Sequence, residues 1–307
     1  MSYILQTFEL KKRYKHHYAL DGVNMNIEKG EIYGFVGENG SGKTTVIRTI
    51  TGLIRPTSGT FSLFGESADS PTINKVKSKL GAVVETPSIY KNMSAVDNLK
   101  MQCDILGISG TEAAYRVLNE VGLGDLANSK KKAGDFSLGM RQRLGIAMAL
   151  LGDPEFLILD EPMNGLDPAG IVDVRELILK LNRENGITFL ISSHILTELA
   201  LVATKYGIIS KGKIIKEISS QQLALECRPS VTVETDDAEN LRSLLIGLVP
   251  ADDISYSSKG ITVHGDFDIN SLLSAIVNNG IKVSGINCTN SNIEDYYLSL
   301  VGGGANA

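Results

Sequence analysis

Uncharged apolar runs and the polar breaks between them divide the chain into elements. Residues 1–60 read as strand-rich: Val23-Asn24-Met25-Asn26-Ile27, a turn at Glu28-Lys29-Gly30-Glu31, then the run Ile32-Tyr33-Gly34-Phe35-Val36. Thr45-Val46-Ile47-Arg48-Thr49-Ile50 predicts a helix start. From about 91 to 150 the pattern turns helical. Ser94 precedes Ala95-Val96-Asp97-Asn98-Leu99 as an N-cap with an acid at the third helical position, and Thr111 to Leu118 predicts a second helix. Phe156-Leu157-Ile158-Leu159 and Thr188-Phe189-Leu190-Ile191 are nearly unbroken apolar runs, as in strands buried on both faces of a parallel sheet. With helical segments between them they predict a twisted α/β core.

A boundary is expected between Ser219 and Pro229. Beyond it short strands (Val231-Thr232-Val233-Glu234, Gly260 to His264, Ile281-Lys282-Val283) alternate with helices near 238–247 and 269–279, an α+β appendage at 228–307. The Gly302-Gly303-Gly304 tail is expected to lack order.

Composition adds class and setting. At 307 residues and 43% hydrophobic content the chain suits one large or two ordinary domains with a packed core. The net charge of −5 divides unevenly, with residues 1–227 at +1 and 228–307 at −6, so neither part has the basic excess of a nucleic-acid binder. No apolar stretch approaches membrane-span length, and MSYILQTFEL lacks the charged start and apolar centre of a signal peptide, so a cytoplasmic location is expected. Cys103, Cys227 and Cys288 have no zinc or disulfide spacing and are expected as buried small hydrophobes. The basic segments Lys11 to His17 and Lys130-Lys131-Lys132 are expected as solvated loops.

The chemistry begins directly after the Ile32 to Val36 run. Gly37-Glu38-Asn39-Gly40-Ser41-Gly42-Lys43-Thr44 is a complete G-x-x-x-x-G-K-[ST] phosphate loop. Its glycines let backbone N–H groups turn around an anion, Lys43 supplies a point charge for the outer phosphates, and Thr44 offers a hydroxyl to Mg²⁺. Thr45 continues the cradle. At the end of the 156–159 run come Asp160 and Glu161, suited respectively to supporting Mg²⁺ and to polarising an attacking water. A sheet of this kind binds its ligand beyond the carboxyl ends of its strands, where both acids would face the phosphates.

Between these elements lies Phe136-Ser137-Leu138-Gly139-Met140-Arg141-Gln142-Arg143, and here the chain resembles the ATP-binding subunits of ABC transporters, whose L-S-G-G-Q signature stands at this place. Ser137 and Gly139 match it; Phe136, Leu138 and Met140 depart from it. The resemblance covers about residues 1–220 and implies a P-loop NTPase core with an ABC-type helical subdomain at about 91–150. It implies that Asn164-Gly165-Leu166-Asp167 is the D-loop, that His194 is the switch histidine assisting Glu161, and that Tyr14 stacks on adenine. It further implies a homodimer of ATPase domains that sandwiches two ATP molecules, with Ser137 and Gly139 acting across the dimer. Separately encoded transmembrane subunits would be driven from the inner face of the membrane.

The family's Q-loop glutamine falls at Glu85, whose carboxylate is expected to tighten Mg²⁺ binding and slow the capture of ATP. Glu85, the Ser-Leu-Gly-Met signature and a final helix at Ile293 to Leu298 resemble the bacitracin-export and lantibiotic-immunity branch. The alternative is a soluble ABC-type ATPase acting on nucleic acid or ribosomes. Such proteins usually carry two cassettes or a long coiled coil, and this chain has one cassette and no sustained heptads.

Overall fold

The computed structural model describes residues 2–109, 111–250, 253–257, 260–265, 268–289 and 293–302. The chain divides into two compact units, Met1–Ser220 and Gln221–Ala307.

The first unit opens with β1 (Tyr3–Tyr14) and β2 (His17–Glu28), followed after the Gly30 turn by β3 (Ile32–Val36). Then come α1 (Lys43–Thr51), β4 (Ser58–Leu63), β5 (Glu66–Ser67), α2 (Ile73–Lys77) and β6 (Leu80–Val83). Three helices follow: α3 (Ala95–Leu106), α4 (Glu112–Glu120) and α5 (Leu138–Leu150). The unit closes with β7 (Phe156–Asp160), α6 (Pro168–Asn185), β8 (Thr188–Ser193), α7 (Leu196–Ala200), β9 (Lys205–Ser210) and β10 (Lys213–Ser219).

These strands make two sheets. An antiparallel sheet runs β2-β1-β4-β5, and a mixed sheet runs β10-β9-β3-β8-β7-β6 in which only the β10–β9 pair is antiparallel. Every residue of β3, β7 and β8 is buried, which explains the uncharged runs. The main core joins Leu5, Leu20 and Met25 of the antiparallel sheet to Val46, Ile47 and Ile50 of α1 and Phe35, Ile158 and Leu190 of the mixed sheet. α1 is thereby fixed over the sheet with its first turn at the carboxyl end of β3. That placement decides where the phosphate loop points.

Helices α3, α4 and α5 pack on one another. The Ser94 hydroxyl caps α3, accepting from the Asp97 N–H at 3.1 Å and donating to the Asp97 carboxylate at 2.7 Å. Asn98, fully buried on α3, holds the preceding segment: its Oδ1 accepts from the Tyr90 N–H at 2.7 Å and its Nδ2 donates to the Tyr90 and Ser94 carbonyls at 3.1 and 2.8 Å.

In the second unit α8 (Ser220–Glu226) leads into β11 (Ser230–Glu234), α9 (Ala238–Ile246), β12 (Ile254–Ser257), β13 (Gly260–His264), α10 (Ile269–Asn278), β14 (Gly285–Thr289) and α11 (Ile293–Gly302). From β11 to β14 the order is β-α-β-β-α-β with an antiparallel sheet β12-β13-β11-β14, a split β-α-β arrangement. Val231, Val233, Ile261 and Val263 of the sheet bury against Leu241 and Leu245 of α9 and Leu272 and Ile276 of α10.

Several expectations are corrected. Ile281-Lys282-Val283 is not a strand: Ile281 and Val283 drop their side chains into the helix-covered core, and ladder pairing starts only at Gly285 opposite Glu234. The strand Ile254–Ser257 escaped the pattern because it is short and polar at alternate positions. Lys11 to Tyr14 is the end of β1, not a loop, while Lys130 to Lys132 is exposed outside helix and strand. Cys103 is buried, Cys227 half-buried and Cys288 exposed on the outer strand β14. α1 begins at Lys43, two residues before the expected start. Gly302 ends α11, and Gly303 and Gly304 lie outside the described residues.

Replacing Asn98 by Leu strips the partly buried N–H and carbonyl of Tyr90 of their partner. A loss of about 2–4 kcal/mol in unfolding free energy is expected, read as a fall in the urea midpoint. A change below about 0.5 kcal/mol, the level of ordinary surface substitutions, would mean that water replaces the amide.

Candidate functional site: a phosphate cradle at the sheet edge

The cradle begins where β3 ends. Gly37 passes so close to Ile209 and Ser41 that a Cβ there would lie 2.4 Å from the Ile209 carbonyl oxygen and 2.5 Å from the Ser41 hydroxyl. Gly42, at φ +117°, turns the loop into α1. The loop is tied down from outside, since the Gly37 N–H donates to the Ser193 carbonyl at 3.3 Å and the Gly212 N–H to the Ser41 carbonyl at 2.8 Å. Together they enclose a cavity of about 180 Å³ lined by Asn39, Gly40, Gly42, Lys43, Thr44 and Thr45 with Ala19 and Glu161. The free N–H groups of the first turn of α1 open into the loop, an arrangement that attracts anions.

Lys43 is 5% exposed, and its ammonium donates to the carbonyls of Gly37 at 2.6 Å and Glu38 at 3.3 Å. The same ammonium stands 3.3 Å from Glu161 Oε1. The other oxygen of that carboxylate, Oε2, stands 2.8 Å from His194 Nδ1. Lys43, Glu161 and His194, far apart in sequence, thus form one contact chain. Glu161 itself sits at φ +50°, a left-handed conformation uncommon outside glycine.

Asp160 is 1% exposed at the end of β7. Its Oδ1 accepts from the Ser192 hydroxyl at 2.5 Å, while its Oδ2 is buried with no hydrogen-bond partner. The Ser41 hydroxyl is likewise buried and unpartnered. A buried unpaired carboxylate oxygen is costly unless a cation or donor reaches it, and Mg²⁺ typically combines one or two carboxylates with substrate phosphates. Asp160 with the Thr44 hydroxyl supplies such a donor set. Among the described residues no cluster of three or more His, Cys, Asp or Glu could hold a metal by itself, so phosphate oxygens would have to complete the shell.

The comparisons agree on what such a site belongs to. Residues 20–164 match the family model described as ABC transporter. Over 306 residues the chain is 42% identical to the bacitracin transport ATP-binding protein BcrA of Bacillus licheniformis, covering 99% of both chains. It is 45% identical over 214 residues to the lantibiotic transport ATP-binding protein SrtF of Streptococcus pyogenes, covering 70% of this chain and 90% of that one. The chain belongs to the ABC transporter ATP-binding family. Its activity is accordingly ATP hydrolysis coupled to transport. Among solved structures, the dimeric post-hydrolysis state of the ATP-binding cassette MJ0796 bound to ADP and Pi is similar, with TM-score 0.62, 25% identity and coverage of 70% of this chain and 98% of that one. CbiO1 of Clostridium perfringens gives TM-score 0.66 at 26% identity, over 81% of this chain and 96% of that one.

The remaining expected residues of the ABC cassette lie away from this cavity. Ser137 is exposed and caps α5, its hydroxyl accepting from the Met140 N–H at 3.2 Å; Gly139 lies in the first turn of that helix. Asp167 caps α6 through the Gly170 N–H at 3.2 Å, with Pro168 at the first helical position. Tyr14 is exposed at the hairpin end, with the Lys12 ammonium 5.2 Å from its ring centre. Glu85 does not line the cavity. Its carboxylate instead meets the Arg48 guanidinium of α1 at 2.6 Å, both side chains being well exposed.

Sequence reasoning passed over Ser192, which donates to Asp160 and accepts the Glu161 N–H at 2.9 Å. The available signal was a buried serine at the end of an apolar run, in the strand that neighbours the acids.

Gly37→Ala forces the carbonyl of Ile209 and the Ser41 hydroxyl to shift inside the cradle. With an overpacking cost of about 1–3 kcal/mol, ATP affinity should fall by about 5- to 150-fold in a nucleotide titration, with the circular dichroism spectrum retained.

Proposed function

We propose that this chain is the ATP-hydrolysing subunit of an exporter for bacitracin- or lantibiotic-like membrane-active peptides. The observation that carries this reading is the match to bacitracin transport ATP-binding proteins over nearly the whole chain, second unit included, at 42% and 35% identity. Among the described residues no helix is long and apolar enough to cross a membrane, so the reading calls for separately encoded transmembrane subunits. The chain would sit at the inner face of the membrane beside them.

In this reading two copies form a sandwich around two Mg²⁺·ATP. Lys43 and the cradle N–H groups of residues 37–45 hold the phosphates, Tyr14 stacks on adenine, and Thr44 and Asp160 hold Mg²⁺, which would supply charge neutralisation at the outer phosphates. Ser137 and the Gly139 backbone of the opposite copy cover the γ-phosphate, and Asp167 lies at the seam between copies. The exposure of Ser137 and Asp167, outside the cavity of their own chain, supports a role across the dimer.

Glu161 is the base that takes a proton from water, and His194 steadies it through the 2.8 Å contact. Binding of ATP draws the Lys43 ammonium toward phosphate and frees Glu161 from it. Glu85 would help hold Mg²⁺ only if Arg48 released its carboxylate. Hydrolysis then reopens the sandwich.

Cells expressing the chain with its membrane partner should survive higher concentrations of bacitracin or a lantibiotic than cells carrying the Lys43→Ala form. The chain should pellet with membranes. Equal survival against every such peptide would end the substrate assignment, and sedimentation with ribosomes instead of membranes would end the transporter reading.

A further inference from the structure

The Ser192 hydroxyl touches both acids at the carboxyl end of β7, and its single proton gives that contact a direction. Ser192 is fully buried at the end of β8, in parallel register with Asp160. The Glu161 N–H donates to its oxygen at 2.9 Å, and the hydroxyl proton is spent on Asp160 Oδ1 at 2.5 Å. Two consequences follow from that chain of donors. The Asp160 carboxylate cannot rotate without losing its bond, so Oδ2, buried and unpartnered, is the oxygen left to receive a cation. The Glu161 backbone is pinned at φ +50°, the turn from which its side chain reaches the Lys43 ammonium at 3.3 Å and His194 at 2.8 Å.

We propose that Ser192 is a positioning residue for the metal–nucleotide step: it presents Asp160 Oδ2 to the Mg²⁺ of bound nucleotide and holds Glu161 in its aiming turn. The proposal rests on the Mg²⁺·ATP reading of this site. Groups that orient a metal ligand typically change metal affinity by about 10- to 100-fold when removed.

The test is a Mg²⁺ titration of fluorescent ADP binding to the purified full chain, with wild type, Ser192→Ala, Ser192→Thr and Ser192→Cys. Ser192→Ala should need about 10- to 100-fold more Mg²⁺ for half-maximal tightening, with affinity for ADP in EDTA unchanged. Ser192→Thr, which keeps the hydroxyl, should restore most of the wild-type dependence. In an Asp160→Asn background Ser192→Ala should cause no further change in Mg²⁺ dependence, because the serine acts on the metal through that carboxylate. If Ser192→Ala does not fold, Ser192→Cys keeps the volume with a weak donor and should show the same Mg²⁺ shift.

A wild-type Mg²⁺ dependence in the alanine form would overturn the proposal. So would equal loss of ADP affinity with and without Mg²⁺, which marks a packing role. A wild-type chain whose ADP affinity ignores Mg²⁺ would remove the underlying metal reading, and this proposal with it.

Discussion

A carboxylate that is 1% exposed at the end of a strand with no polar residue before it has lost its water and depends on its neighbours for hydrogen bonds. Asp160 has one such neighbour in the Ser192 hydroxyl and one oxygen left over. Removing a carboxylate from water costs several kcal/mol, and a single hydrogen bond returns about 1.5–3 of them. In the proposed reading, Mg²⁺ and the phosphates would supply the missing partner. On that reading the site is built at a cost that its ligand would relieve, which would tie binding affinity to the parallel register of β7 and β8. Lys43 and Glu161 meet the same problem by pairing with each other.

That register also explains why the site is where it is. β3, β8 and β7 lie side by side and parallel, so Gly37, Ser192, Ser193 and Asp160 emerge along one edge of the sheet. The core of α1 against both sheets then fixes the cradle over that edge. Ser137, Gly139 and Asp167 come from other helix starts and remain outside the cavity. Residues expected to act on nucleotide but standing outside the cavity of their own chain are what the proposed second copy would use.

Much of this was legible in the residues. The uncharged runs at 32–36, 156–159 and 188–191 are strands buried on both faces, and the phosphate loop and the two acids follow from short, fixed spacings. Ser94 and Asp97 announced the start of α3. What escaped had weaker local signals. Ile281 and Val283 alternate like a strand, yet their alternation serves core burial in a segment without ladder partners. The strand Ile254–Ser257 is defined by its hairpin partner more than by its own composition. Ser192 gains its meaning from a neighbour 32 residues away, and Glu85 from Arg48 at a distance of 37 residues. Pairings across strands are set by topology, which periodicity does not carry.

In the proposed cycle two copies of this chain close around ATP, and hydrolysis assisted by Glu161 reopens them. That cycle is tested most directly by the mass in solution of wild type and Glu161→Gln in Mg²⁺·ATP, followed by light scattering behind gel filtration. The expected result is a wild type that turns ATP over and runs as a monomer, and a Glu161→Gln form that keeps ATP bound and runs as a stable dimer. A Glu161→Gln form that hydrolyses ATP at the wild-type rate and stays monomeric would contradict it.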